Sequence, residues 1–145
     1  MLLTATIASV LALSGCGGGT VDGTVYVNTP PFDIHVAVAG QPLTGVVISP
    51  GARQTVYLPA GQYIDLDANE PVTWSLYVGG TLVPGAGTTV YYGGVAIKLT
   101  PWSSSRISID TAISYPLSTP PSFTLVATST YDFAQVATID VILTP

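Results

Sequence analysis

The side chains in this sequence with the most chemical potential are few, and they are scattered. The one acidic cluster is Asp65-Leu66-Asp67-Ala68-Asn69-Glu70. Asp65, Asp67 and Glu70 place carboxylates at alternate positions of an extended segment running into a turn, an arrangement that can hold Ca²⁺ through oxygen ligands. The spacing and the central glycine of an EF-hand loop are missing, so a solvated strand face followed by a turn is the plainer reading. A second group is aromatic. Tyr91, Tyr92, Trp102 and Tyr115 fall in a Gly- and Pro-broken middle region. Exposed rings there can stack on sugars or fill a partner's pocket, although core and strand-face positions are commoner homes for them. His35 is the sole histidine and Cys16 the sole cysteine. A general base needs a partner and a nucleophile within reach, and no motif supplies them; a Gly-x-Ser-x-Gly elbow is absent. One His and one Cys are too few for a zinc site. The sequence therefore reads as non-enzymatic.

Composition narrows the class further. The chain has 145 residues, 8% of them charged and 48% hydrophobic, with 15 Gly and 12 Pro. So few charges with so much apolar content argue against disorder, and the length suits one domain. Eight acidic against three basic residues give a net charge of −5, which repels phosphate backbones and excludes nucleic acid as an expected partner.

The elements that must position these side chains read as short strands between turns. Residues 24–28 and 32–39 look extended, separated by Asn28-Thr29-Pro30-Pro31, since proline cannot donate to a ladder. In the second segment Phe32, Ile34, Val36 and Val38 alternate with Asp33, His35 and Ala37, the period of a half-buried strand. That pattern turns His35 outward, and Gly40-Gln41-Pro42 ends the segment. Further strands are expected over 46–49, 54–58, 62–68, 72–78, 88–92, 95–99, 106–110, 123–129 and 136–143. In 62–68, Ile64, Leu66 and Ala68 face inward while Tyr63, Asp65 and Asp67 face out. In 72–78, Val72, Trp74, Leu76 and Val78 face inward, with Trp74 as the large core filler. Leu125, Ala127, Ile139 and Val141 occupy inward positions of the last pair. A Ser/Thr/Pro-rich loop covers 114–122. There is no amphipathic helix of useful length, so the expected class is all-β.

Two resemblances add to this. Residues 2–13 are apolar or hydroxyl-bearing and uncharged, well short of the roughly 20 needed to span a bilayer but suited to a secretory signal peptide. Leu13-Ser14-Gly15-Cys16 at the end of that run resembles the lipobox of bacterial lipoproteins. The resemblance implies cleavage before Cys16 and a covalent lipid on its thiol, with acyl chains such as palmitate forming a lasting membrane anchor. Gly17, where inner-membrane members carry Asp, implies the outer membrane. Gly17-Gly18-Gly19 then reads as a flexible tether.

From Val46 onward the order of pieces resembles bacterial immunoglobulin-like domains. The pieces are Val47-Ile48-Ser49-Pro50, Val56-Tyr57-Leu58-Pro59-Ala60-Gly61, Pro71-Val72-Thr73-Trp74-Ser75-Leu76, Gly79-Gly80-Thr81-Leu82, Leu125-Val126-Ala127-Thr128-Ser129 and Ala137-Thr138-Ile139-Asp140-Val141. This implies an immunoglobulin-like antiparallel β-sandwich without a disulfide, extended by extra N-terminal strands. The expected organisation is a signal peptide over 1–15, a lipidated cysteine and tether over 16–20, and a sandwich over 21–145, matched from about 46. The expected function is a membrane-anchored, non-enzymatic structural or adhesive module with a protein or glycan partner at the cell surface. The alternatives are a glycan- or Ca²⁺-binding module, and a filament subunit that pairs through an exposed edge at 136–143 or 24–28.

Overall fold

The computed structural model describes residues 29–85, 87–113 and 121–145. Cys16, the extended segment expected over 24–28, and Tyr115 with most of the 114–122 loop lie outside the described residues. The described chain forms β1 (Ile34–Val38), β2 (Gln41–Ile48), β3 (Arg53–Pro59), β4 (Tyr63–Ala68), β5 (Val72–Val78), β6 (Thr81–Leu82), β7 (Thr89–Tyr92), β8 (Val95–Pro101), β9 (Arg106–Ile113), β10 (Ser122–Ser129) and β11 (Val136–Thr144). They build one sheet in the order β2-β1-β4-β9-β8-β7 and another in the order β3-β11-β10-β5-β6. Every pairing is antiparallel except β11 with β3.

The strand order decides the fold. The run β4-β9-β8 in one sheet and β5-β10-β11 in the other reproduces the B-E-D and C-F-G arrangement of an immunoglobulin sandwich. The chain is an immunoglobulin-like β-sandwich. The strand ahead of the matched region is not a separate unit, because β1 lies between β2 and β4 and buries Ile34 and Val36.

Period-2 alternation explains the core. Ile64, Leu66 and Ala68 of β4, Leu125 and Ala127 of β10, and Ile139 and Val141 of β11 are all buried on the facing sides of the two sheets. Each large side chain removed from water in this way contributes about 1.5–3 kcal/mol. Trp74 departs from the expectation. It faces the interior of β5 but is only half-buried, at the rim of a cleft it shares with Leu82, Val83, Leu99 and Ile107. Its indole Nε1 is buried with no acceptor among the described residues. The largest fully buried side chains are instead Phe32 and Phe123.

Two further expectations are corrected. The segment ending at Gly40-Gln41-Pro42 in fact reverses at Ala39-Gly40, where φ is +49° and +76°, and re-enters strand at Gln41. Pro42 is tolerated because β2 lies at the edge of its sheet, where a missing N–H disrupts no interior ladder. Residues 136–143 are not a free edge. β11 is paired on both sides, by β10 and β3, so its backbone groups are already used.

Candidate functional site

The side chains that β4 turns away from the core meet those of its neighbours. Tyr63 lies opposite Asp110, Asp65 opposite Ser108, and Asp67 opposite Arg106 on β9. On the other side His35 of β1 lies opposite Asp67. The outer face of the six-stranded sheet thus carries a compact group of aromatic, acidic and basic side chains.

Trp102 completes it. The turn between β8 and β9 is closed by the amides of Trp102 and Ser103, which donate to the Arg106 carbonyl at 2.9 and 3.1 Å. Ser103 Oγ accepts the amides of Ser105 and Arg106 at 3.2 and 3.0 Å. Held this way, Trp102 folds over the sheet and its Nε1 donates to Ser108 Oγ at 2.7 Å. Ser108, only 5% exposed, donates its hydroxyl in a hydrogen bond to Asp65 Oδ1. The Arg106 guanidinium stands 3.9 Å from the other Asp65 oxygen. The result is a shallow groove of about 320 Å³ lined by Tyr63, Asp65, Trp102, Arg106, Ser108 and Asp110. An adjoining groove, reached across Asp65 and Arg106, is lined by His35, Ala37, Pro42 and Asp67. The indole is 68% exposed although its nitrogen is tied down. A fixed, exposed ring beside carboxylates, a guanidinium and a hydroxyl can stack on an apolar ring face and hydrogen-bond hydroxyls around it.

The residues expected to act together are divided by the structure. Asp65 and Asp67 share a face, but Glu70 lies beyond β4 and accepts a hydrogen bond from Ser129 Oγ at 2.5 Å. Among the described residues no three His, Cys, Asp or Glu side chains come together as a metal site. Tyr91 and Tyr92 are neighbours in β7 and therefore point to opposite faces. Tyr91 is 74% exposed, and it pairs with Ala96, roughly 20 Å along β8 from Trp102. Tyr92 lies over Gly79 at the turn of the other sheet, where an added Cβ would stand 2.8 Å from its ring. The three aromatics do not make one platform, and only Trp102 belongs to the groove.

Tyr63, Arg106, Ser108 and Asp110 were not singled out from the sequence. The signal for Tyr63 was present in the outward alternation of 62–68. The β9 residues become visible only once β4 and β9 are in register. Tyr131 and Phe133, 65% and 76% exposed in the loop after β10, also escaped notice.

Among the described residues, the one carboxylate with a perturbed acidity lies elsewhere. Burial pushes the Asp140 pKa up, but hydrogen bonds from Arg53 and Thr124, with the Arg53 charge, outweigh it and hold the group below its usual range. Arg53 grips it through Nε at 2.6 Å and Nη2 at 3.0 Å. This pair ties β3 to β11 on the outer face of the five-stranded sheet.

No family model matches this chain, and no curated protein matches it. Among solved structures it is similar to the titin M4 domain in a trigonal crystal form. The two share 11% identity over 79% of this chain and 97% of that one, with a TM-score of 0.39. A likeness at that level carries no argument, and the fold assignment rests on strand order.

Proposed function

We propose that this chain is a lipid-anchored protein of the bacterial outer membrane whose sandwich is a non-enzymatic adhesive module, and that it adheres to glycans through the Trp102 groove. The anchor is supported by Leu13-Ser14-Gly15-Cys16. The observation that carries the glycan reading is the indole held by Ser108 yet 68% exposed, with Tyr63, Asp65, Arg106 and Asp110 around it. A pyranose offers one apolar face to a ring and a rim of hydroxyls to charged groups, and the groove has both kinds of surface. The non-catalytic reading is supported by the surroundings of His35. It lies opposite Asp67, and no Ser, Thr or Cys lines the groove beside it. The calcium reading has less support, since Glu70 is engaged by Ser129 and Asp65 by Ser108 and Arg106.

The test is a glycan array followed by fluorescence titration with the best-binding sugar. Trp102→Ala is expected to weaken binding by about 10- to 100-fold, the loss of roughly 1.4–3 kcal/mol of stacking and desolvation. Tyr91→Ala is expected to leave it unchanged. A wild-type protein that binds no glycan, or binding indifferent to Trp102→Ala, refutes the reading. The anchor is tested separately by fatty-acid labelling that marks wild type and not Cys16→Ala.

A further inference from the structure

The loop joining β10 to β11 presents Tyr131 and Phe133 to solvent, 65% and 76% exposed, within three residues of each other. Its frame is locked from behind. Ser129 is fully buried, donates to Glu70 Oε1 at 2.5 Å, and accepts the amides of Tyr131 and Asp132 at 3.1 and 3.2 Å. The Asp132 carboxylate accepts the Ala134 amide at 3.0 Å, and the Asp132 carbonyl accepts the Gln135 amide at 2.9 Å. Thr130 donates its amide and its hydroxyl to the Pro71 carbonyl at 3.2 and 3.0 Å. These polar groups turn toward the protein while the two rings turn away from it. A loop ordered in advance loses little entropy when it docks.

The chain itself says what lies nearby. The first described residue, Thr29, is strapped to this loop: Gln135 Nε2 donates to its carbonyl at 3.0 Å, and Gln135 Oε1 accepts the Phe32 amide at 3.3 Å. Cys16 precedes Thr29 by only thirteen residues. At the full reach of a polypeptide that is no more than about 45 Å, whatever path those residues take. The chain that follows the cysteine expected to carry lipid therefore enters the sandwich, at Thr29, at the end that presents the exposed rings.

We propose that Tyr131 and Phe133 insert into the interfacial layer of the bilayer that holds the Cys16 lipid. The proposal rests on the lipoprotein reading. Aromatic rings partition to the headgroup level of membranes, Tyr with its hydroxyl kept wet. The charge of the end specifies the lipid. Residues 29–33, 69–71 and 130–135 contain no Lys or Arg but include Asp33, Glu70 and Asp132, and Arg106 at the neighbouring β8–β9 turn stands beside Asp65. The loop that carries the two rings has no cation of its own to attract anionic headgroups, which suits a zwitterionic bilayer.

The experiment uses the full chain, purified with its native modification and reconstituted in phosphatidylcholine vesicles. Phe133→Trp reports on the loop. Tyr57→Trp, at a 63% exposed position on β3, is the control. Lipids brominated near the head of the acyl chain are expected to remove most of the added fluorescence at position 133 and none at 57. Equal quenching at both sites, or none at 133, overturns the proposal. So does protection of position 133 by a surface protein or glycan without lipid quenching. Mass analysis of the Cys16 peptide from the same sample separates the two readings. If Cys16 is unmodified, the lipoprotein reading fails, and quenching at 133 on adding the unmodified chain to vesicles still decides the loop.

Discussion

Gly79 and Gly80 make the two-residue turn between β5 and β6, with φ of +57° and +78°. Such a turn requires positive φ at both positions. A side chain at either glycine costs roughly 1–2 kcal/mol in left-handed backbone strain alone. The two positions then diverge. A Cβ on Gly80 meets nothing within 4 Å, whereas one on Gly79 stands 2.8 Å from Cε2 and 3.3 Å from Cζ of Tyr92. Tyr92 belongs to β7, the edge of the opposite sheet, so this contact closes the sandwich along one side. The ring is 43% exposed and can swing outward to relieve the overlap. Doing so forfeits several carbon–carbon contacts at 0.1–0.2 kcal/mol each, about 1 kcal/mol in all. Gly79→Ala is therefore expected to lose about 2–3 kcal/mol and Gly80→Ala about 1–2 kcal/mol. Urea unfolding, with a common slope for all variants, measures both. In a Tyr92→Ala background the difference between the two glycine variants is expected to vanish, because the partner is gone. Equal losses in the wild-type background, or a difference that persists without the ring, would refute the packing of Tyr92 on the turn.

Two more outcomes follow from the backbone and the charges. Ala39 holds φ at +49° ahead of Gly40 in a two-residue hairpin closed by Val38 and Gln41. Asn accepts that conformation better than Ala, so Ala39→Asn is expected to stabilise by about 0.5–1 kcal/mol, read as a rise in Tm of a few degrees; no change or a fall counts against the strained turn. Asp140→Asn is expected to lose about 1 kcal/mol at neutral pH, since Arg53 is largely exposed and screened. The Asp140 pKa is depressed below 3.8 in the folded protein, so its contribution is present above that value and disappears as pH falls through the folded pKa. The stability gap between wild type and Asp140→Asn should hold from neutral pH to about 5 and close below about 4. A gap that widens with acid would reverse the sign of the argument.

Much of the fold is legible in the sequence because β4, β5, β10 and β11 each bury one face, and alternation records it directly. The proline-broken start was harder. A reversal as tight as Ala39-Gly40 leaves no polar spacer, so a turn and the beginning of β2 look like the end of one strand. Trp74 was misjudged for a related reason: alternation gives the face of a residue and not its distance from the sheet's open rim. The groove was half legible. Asp65 and Trp102, singled out in the sequence for different reasons, line the same groove, and their grouping depends on register. Ser108 joins Trp102 to Asp65 across 43 positions, and no local pattern encodes that pairing. Glu70 was grouped with the aspartates by proximity in sequence, yet the chain turns after β4 and hands it to Ser129. The separation of Tyr91 from Tyr92, by contrast, follows from the two-residue period alone and could have been read in advance.

The loop after β10 shows the opposite problem. Thr130-Tyr131-Asp132-Phe133 alternates polar with apolar residues, the pattern of a half-buried strand, until Ala134 breaks it. What makes it a turn is Ser129, whose buried hydroxyl captures two successive amides and ends the ladder. A strand would have given both rings a core to enter. The turn sends them outward, while Gln135 ties the same loop to Thr29. The exposed rings of this loop and the incoming chain are thus brought together by side-chain hydrogen bonds spanning up to 106 positions. For that reason the end of the molecule at which the chain enters the sandwich is apparent only when the strands are assembled.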